Sequence, residues 1–362
     1  MANDRIYNFS AGPSMLPLSV LEKAASEMTN YNGSGMSVME MSHRSKVYQD
    51  VFDKTKAAVK RVLGVPDTHE VLFMQGGATF QFAAIPLNLM GATGKADYAI
   101  TGNFANLAAK EAKKYGTVNI AANTEDRNNT YIPAQEDLNL SDDASYFYYC
   151  ANNTIYGTEW KYVPDTKGKP ICCDMSSNIA SKPIDVSKYG IIYAGVQKNL
   201  APAGMALVII DKSLAGHEMA ITPTIMNYQT MIEKDSMYNT PPCYNIYMLG
   251  LVMNWIEENG GLEGMEKLRD IRSSMLYNYL DESKLFIPCA DKEARSGMNV
   301  TFRTADADLD AKFVKESIAA GFSNLKGHRK VGGMRASIYN AMPVEGVEKL
   351  VAFMRDFEMN NK

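Results

Sequence analysis

Between about residues 70 and 211 the chain alternates short β-prone runs with helical stretches. HEVLFMQ is followed by GGATFQFAAIPLNLM, ADYAI by GNFANLAAKEAKKYG, and TVNIAAN by the helical-looking PAQEDLN. SYFYYC, PICCD, GIIYAGV and MALVIID supply four more strand-like runs. Parallel neighbours need a crossover that is usually a helix, so the alternation predicts an α/β fold with a mostly parallel, doubly wound sheet. Sheets of this kind place ligands beyond the carboxyl ends of their strands.

After Asp211 the pattern changes. A loop-rich segment, NYQTMIEKDSMYNTPPC, is broken by Pro241 and Pro242. Two helices follow, NIYMLGLVMNWIEENGG, stopped by Gly260 and Gly261, and LEGMEKLRDIRSSMLYNYLDES. The remainder reads strand (MNVTFRT), helix (DLDAKFVKESIAAG), strand (GMRASIYN) and helix (GVEKLVAFMRDFE). A chain of 362 residues exceeds the size of a single core. The expected division is a large domain over 1–260 and a smaller α+β domain over 261–362. Upstream, Pro17 is placed to open a helix over Leu18 to Asn30 as a first-turn proline, and a second helical pattern runs from about Tyr48 to Leu63.

The net charge of −4 gives no reason to expect nucleic acid or an anionic membrane as partner. It also requires any phosphate-binding site to gather its basic residues locally. No apolar run reaches the roughly 18 residues of a membrane span, and the N-terminus lacks a signal-peptide pattern, so a cytoplasmic protein is expected. Five cysteines, two of them adjacent and none in a CxxC pair, support neither disulfides nor a metal site. Cys172 and Cys173 read as packing residues.

Two charged residues stand at the ends of apolar runs: Asp174 closes ICCD, and Lys198 follows IIYAGVQ. Taken locally, the lysine also fits a surface loop and the aspartate a turn before Ser176 and Ser177. They are 198 − 174 = 24 residues apart, room for one crossover between neighbouring strand ends. Delivered to one pocket, they suggest a Schiff-base lysine and a partner for a pyridinium nitrogen, the pyridoxal phosphate arrangement. Gly76-Gly77-Ala78-Thr79 stands at a strand-to-helix junction, where backbone N–H groups make an anion site. It matches neither GxxxxGK[ST] nor GxGxxG, so nucleotide binding is poorly supported. Phe104, at the start of the next helix, is placed to stack on a planar ring. Basic residues cluster at His43-Arg44 and at Lys326-Gly327-His328-Arg329-Lys330, leading to Arg335. They hint at anionic substrates, arginine being suited to bidentate carboxylate or phosphate contacts.

These pieces, with NFSAGPSMLP, SHRSK, GGATFQFAAIPLNL, DMSSNIASKPIDVSKYGIIYAGVQKNLAPAG, YNTPP and GHRKVGGMRASIYNAMP in order, carry a resemblance. The chain resembles the phosphoserine aminotransferases, class V, fold-type I pyridoxal phosphate enzymes, over essentially its whole length. The resemblance implies amino transfer between L-glutamate and 3-phosphooxypyruvate, giving O-phospho-L-serine and 2-oxoglutarate in serine biosynthesis. It also implies action on the homologous 4-phosphohydroxy-L-threonine of pyridoxine biosynthesis. Carried over by position, Lys198 holds pyridoxal 5'-phosphate and shuttles the proton, and Asp174 pairs with the pyridine nitrogen. Ala78, Thr79 and Gln197 contact the phosphate, Thr154 the ring hydroxyl side, and Phe104 the ring face. Asn239 and Thr240 reach the cofactor phosphate of the neighbouring subunit, which implies a homodimer with shared active sites. Arg335 anchors the substrate α-carboxylate. His43, Arg44, His328 and Arg329 form a positive surface for the substrate phosphate or the distal carboxylate of glutamate.

One branch of the family carries Gly-Arg where this chain has Ala78-Thr79, and Trp in place of Phe104. Without that arginine, the resemblance does not fix which basic residues here hold the substrate phosphate. Other class V reactions on the same fold, glyoxylate-linked transamination or cysteine desulfuration, are the alternatives. The basic clusters favour a phosphorylated substrate, and no cysteine sits in a recognisable mobile-loop motif. A non-catalytic binding protein would need neither Lys198 nor Asp174.

Overall fold

The computed structural model describes residues 5–361. The chain opens with a two-residue strand, β1 (Tyr7–Asn8), then helices α1 (Leu18–Ser26) and α2 (Lys46–Leu63). Strand β2 (His69–Gln75) leads through α3 (Gly77–Leu89) to β3 (Lys95–Ile100), and α4 (Asn103–Ala112) leads on to β4 (Thr117–Asn123). Next come β5 (Phe147–Cys150), a small ribbon of β6 (Asn152–Asn153) and β7 (Thr158–Glu159), then β8 (Ile171–Asp174), β9 (Ile191–Gly195) and β10 (Met205–Asp211).

Seven of these strands form one sheet in the order β2-β10-β9-β8-β5-β3-β4. All neighbours are parallel except β10, which is antiparallel to both β9 and β2. The reason is the connection. Only residues 196–204 join β9 to β10, too few for the crossover a parallel pair requires. That short connection contains Lys198.

Two sequence expectations change. The helix after Pro17 ends at Ser26, with Pro17 just outside it rather than in its first turn. PAQEDLN forms only a single three-residue turn, Gln135–Asp137, because it has too few apolar residues at helical spacing to bury a face.

Both faces of the sheet are covered, which explains why its strands read as nearly continuous apolar runs. Phe73, Cys173, Ile192 and Leu207 point to the face packed by α2 and by α6 (Cys243–Glu258). Leu72, Tyr98, Cys172, Tyr193 and Val208 point to the other, against α3 and α4. Cys172 and Cys173 are fully buried, in keeping with a packing role, and all five cysteines are free.

Beyond the sheet lie α5 (Tyr228–Glu233) and α7 (Gly261–Glu282), then β11 (Ile287–Pro288), β12 (Asn299–Arg303), α8 (Ala307–Ala319), β13 (Phe322–Ser323), β14 (Met334–Ser337) and α9 (Val344–Asn360). Strands β11, β12 and β14 form a small antiparallel sheet. An aromatic core of Phe286, Phe302, Phe313 and Phe357 fills the space beside it. The N-terminal segment belongs to this core as well. β1 pairs in parallel with β13, the Phe9 amide donates to the Ser323 carbonyl at 2.9 Å, and the Phe9 side chain is fully buried. Burying an aromatic of this size contributes about 1.5–3 kcal/mol, enough to fix the path of the next residues towards the site.

Candidate active site

The parallel strands end at one edge of the large sheet, and the turns that follow them line a cavity of about 720 Å³. β2 contributes Gly76, Gly77, Ala78 and Thr79, β3 leads to Asn103 and Phe104, and β5 leads to Asn152 and Thr154. β8 ends in Asp174, and the turn after β9 supplies Gln197 and Lys198. His328 and Arg335, from the far end of the chain, close another side.

Lys198 and Asp174 are both buried, at 9% and 4% exposure, so neither takes the solvated position a charged loop residue usually has. Lys198 Nζ donates to Thr154 Oγ1 at 2.8 Å and lies 5.6 Å from the centroid of the Phe104 ring. Ser14 Oγ donates to the Lys198 carbonyl, tying the N-terminal segment to the lysine turn. Asp174 accepts from the Ser176 amide at 2.8 Å on Oδ1 and from the Tyr193 hydroxyl at 3.1 Å on Oδ2.

Gly76 has φ +85°, and a Cβ there would come within 2.8 Å of the Phe80 side chain. Glycine lets the chain turn from β2 into α3 and aim the first amides of that helix at the cavity. Gly12 plays a related part: a Cβ on it would meet Lys198 Cγ at 3.2 Å.

Arg335 is half-buried on β14. Its Nη1 donates to the Thr154 carbonyl at 3.3 Å, while its buried Nε has no partner. Burial pushes its guanidinium below the ordinary arginine value. His328 is also held below its ordinary range, first by burial and then by Arg335, Arg329 and Lys330. Burial, followed by Asp174, pushes the Cys150 thiol on the cavity wall far up, so it stays neutral.

Nine of the expected site residues therefore share one cavity: Ala78, Thr79, Phe104, Thr154, Asp174, Gln197, Lys198, His328 and Arg335. Five do not line it within this chain. His43 is half-buried and Arg44 exposed just before α2, and Arg329 points outward beside His328. Asn239 and Thr240 lie in the segment after α5, where the Thr240 carbonyl accepts from Gln75 Nε2 at 2.7 Å. Sequence reading passed over Tyr193, Ser176, Asn152 and Gly12. For Tyr193 a signal existed, since period-two alternation in IIYAG puts it on the face that carries Asp174 on the neighbouring strand.

The site fits pyridoxal phosphate. A buried lysine amine, a carboxylate held by two donors, a glycine turn at a helix N-terminus and an arginine with a free buried donor are the groups that molecule needs. The volume accommodates it with a small substrate. These features define the class: an α/β enzyme of the class-V aminotransferase kind. A family model described as aminotransferase class-V matches residues 6–350.

The comparisons narrow this. Phosphoserine aminotransferase of Bacillus cereus is 48% identical over 359 residues, covering 99% of this chain and all of that one. The solved structure of phosphoserine aminotransferase from Bacillus circulans subsp. alkalophilus matches with a TM-score of 0.97 at 45% identity, covering 99% of this chain and 100% of the other. That of the PLP-bound enzyme from Trichomonas vaginalis matches at 0.93 and 41% identity, covering 97% and 100%. The chain belongs to the phosphoserine aminotransferase family of the class-V aminotransferases, pyridoxal phosphate-dependent transaminases.

Proposed function

We propose that this chain transfers an amino group between L-glutamate and 3-phosphooxypyruvate, forming O-phospho-L-serine and 2-oxoglutarate, and that it also serves 4-phosphohydroxy-L-threonine formation. The observation that carries this reading is the convergence of Lys198 and Asp174 with His328 and Arg335 in one cavity. Bound pyridoxal phosphate supplies an electron sink for the bond breaking at the substrate Cα. The protein supplies placement and proton transfer. Lys198 would hold the cofactor and would take and return the substrate Cα proton through Nζ. Thr154 holds that nitrogen at the cavity wall, and Asp174 would pair with the pyridine nitrogen. The first amides of α3, at Ala78 and Thr79, with Gln197, would hold the cofactor phosphate, and the Phe104 ring would cover one face. Arg335 offers its free Nε to a substrate carboxylate.

The complete site needs a homodimer. Asn239, Thr240, His43 and Arg44 lie outside the cavity of one chain, and exposed apolar side chains accompany them: Tyr238 beside Asn239, and Met39 and Val47 around His43. Such apolar exposure suits a subunit interface, across which these residues reach the partner's cavity, the basic pair meeting the substrate phosphate. Arg329, exposed beside His328, would extend the same positive surface. The chain divides near residue 260, the N-terminal segment crossing to the small core through Phe9. Among the described residues no helix is long and apolar enough to cross a membrane, and a cytoplasmic location accords with the reaction.

Spectroscopy and kinetics test the proposal. The purified protein is expected to be yellow and to be bleached by borohydride. Lys198→Ala should abolish the bleachable band and lower turnover by about a hundred- to ten-thousand-fold. Phosphoserine should far exceed serine as donor to 2-oxoglutarate. Equal rates would instead assign another class V reaction. Desulfuration is disfavoured by the neutral Cys150, the one cysteine lining the cavity among the described residues.

A further inference from the structure

Asp174 and Tyr193 are paired neighbours on the parallel strands β8 and β9. The Tyr193 hydroxyl donates to Asp174 Oδ2 at 3.1 Å and lies 2.7 Å from the Tyr148 hydroxyl, which comes from β5. All three side chains are buried. Asp174 lines the cavity, whereas Tyr193 and Tyr148 lie behind it and do not.

The direction of the chain follows from proton counting. An ionised carboxylate only accepts, so the single hydroxyl proton of Tyr193 goes to Asp174, and Tyr148 must donate to the Tyr193 oxygen. Both phenols keep their protons, because burial and then the Asp174 charge push them well above the ordinary tyrosine value. Among the described residues, the ionisable groups around Asp174 include Cys150 of β5, a neutral thiol, Cys173 beside it on the opposite face, and Lys198, His328 and Arg335, which line the same cavity. On the other carboxylate oxygen, the Ser176 amide is the donor. Hydrogen bonds to a charged acceptor are stronger than neutral ones, and a buried carboxylate stripped of them is driven towards its protonated form. Each carboxylate oxygen keeps a lone pair for a further donor in the cavity.

We propose that Tyr193, backed by Tyr148, is a positioning residue that fixes the Asp174 carboxylate and keeps it turned towards the cavity, so that it holds the pyridine nitrogen of the cofactor in its protonated state. The inference rests on the reading of Asp174 as the partner of that nitrogen. Tyr193 acts through Asp174 and touches neither cofactor nor substrate.

The test compares wild type with Tyr193→Phe, Tyr148→Phe and Asp174→Asn. Two quantities are measured from about pH 6 to about pH 9: apoenzyme affinity for pyridoxal phosphate, and the magnetic resonance shift of an isotopically labelled pyridine nitrogen in the loaded protein. Groups common to all four proteins titrate alike and cancel in the comparison. With Tyr193→Phe, affinity should fall about ten-fold or more at the acid end and recover as the pH rises. The nitrogen signal should move towards the unprotonated position over the same range. Tyr148→Phe should show the same trend more weakly, and it carries the test if the Tyr193 variant does not fold. Wild-type affinity and nitrogen signal in both tyrosine variants, with both changed in Asp174→Asn, would overturn the role of Tyr193 and leave that of Asp174. A pH-independent loss that merely follows thermal destabilisation would also overturn it. An Asp174→Asn protein indistinguishable from wild type would remove the nitrogen assignment and this inference with it.

Discussion

Lys198 Nζ and the Thr154 hydroxyl meet at 2.8 Å, joining the antiparallel β9–β10 turn to the segment that follows β5. The two residues are 44 positions apart in the chain and share a cavity because β8, lying between β5 and β9 in the sheet, brings their carboxyl ends together.

That contact orients the amine. Thr154→Val keeps the shape of the side chain and removes the acceptor, so the expected result is a ten- to hundred-fold fall in kcat/KM, about the worth of one hydrogen bond to a charged group. The loss should fall mainly on kcat if the lysine moves the substrate proton as proposed. Steady-state kinetics of the holoenzyme would show it, and a change confined to KM would refute the assignment.

Arg335 and Arg329 should separate kinetically. Arg335 lines the cavity with a free buried donor, whereas Arg329 is exposed. Arg335→Gln is expected to raise KM about ten- to a hundred-fold for every amino and keto acid tested. Arg329→Gln should affect phosphorylated substrates more than glutamate. The reverse pattern would exchange the two roles.

His328 gives a pH signature. Burial and three neighbouring cations hold its imidazole below the ordinary histidine range, so it is neutral at neutral pH and gains charge only as the pH falls below about 6.5. KM for phosphoserine should therefore decrease as the pH is lowered through that region, and His328→Asn should flatten the decrease. The phosphate titrates nearby, but equally in both proteins. The sign for stability is opposite. The folded state resists protonation there, so this contribution is present above the unfolded value and lost as the pH falls.

Glu159 contributes to acid stability. Burial works against its anion, but Lys161 at 3.3 Å, Lys182 at 3.0 Å and the Gly297 amide at 3.1 Å more than offset this and hold the carboxyl at about 2. Its folded value is depressed, so the stabilisation is fully present above the unfolded value of about 4.3 and disappears as the pH falls towards 2. The contribution at neutral pH is about 3 kcal/mol. Glu159→Gln should lower the melting temperature at pH about 7 and shrink the difference from wild type near pH about 3. A constant difference across that range would show that packing, not charge, is responsible.

The sequence by itself determined the strands, the positions of Asp174 and Lys198 at their ends, and the glycine turn into α3. All three rest on local rules: side-chain period, chain reversal and backbone freedom. It also singled out His328 and Arg335 as basic residues for an anionic substrate, and the structure sets both on the cavity wall. Only the tertiary structure decided that β10 runs antiparallel, that Phe9 is buried in the core of the C-terminal part, and that Arg335 reaches the carbonyl of Thr154, 181 positions away. It also placed Tyr193 beneath Asp174 and left His43, Arg44, Asn239 and Thr240 outside the cavity of one chain. The physical reason is the same throughout. Which strand ends adjoin depends on crossover connections and on burying both sheet faces together, and no local pattern of residues carries that information.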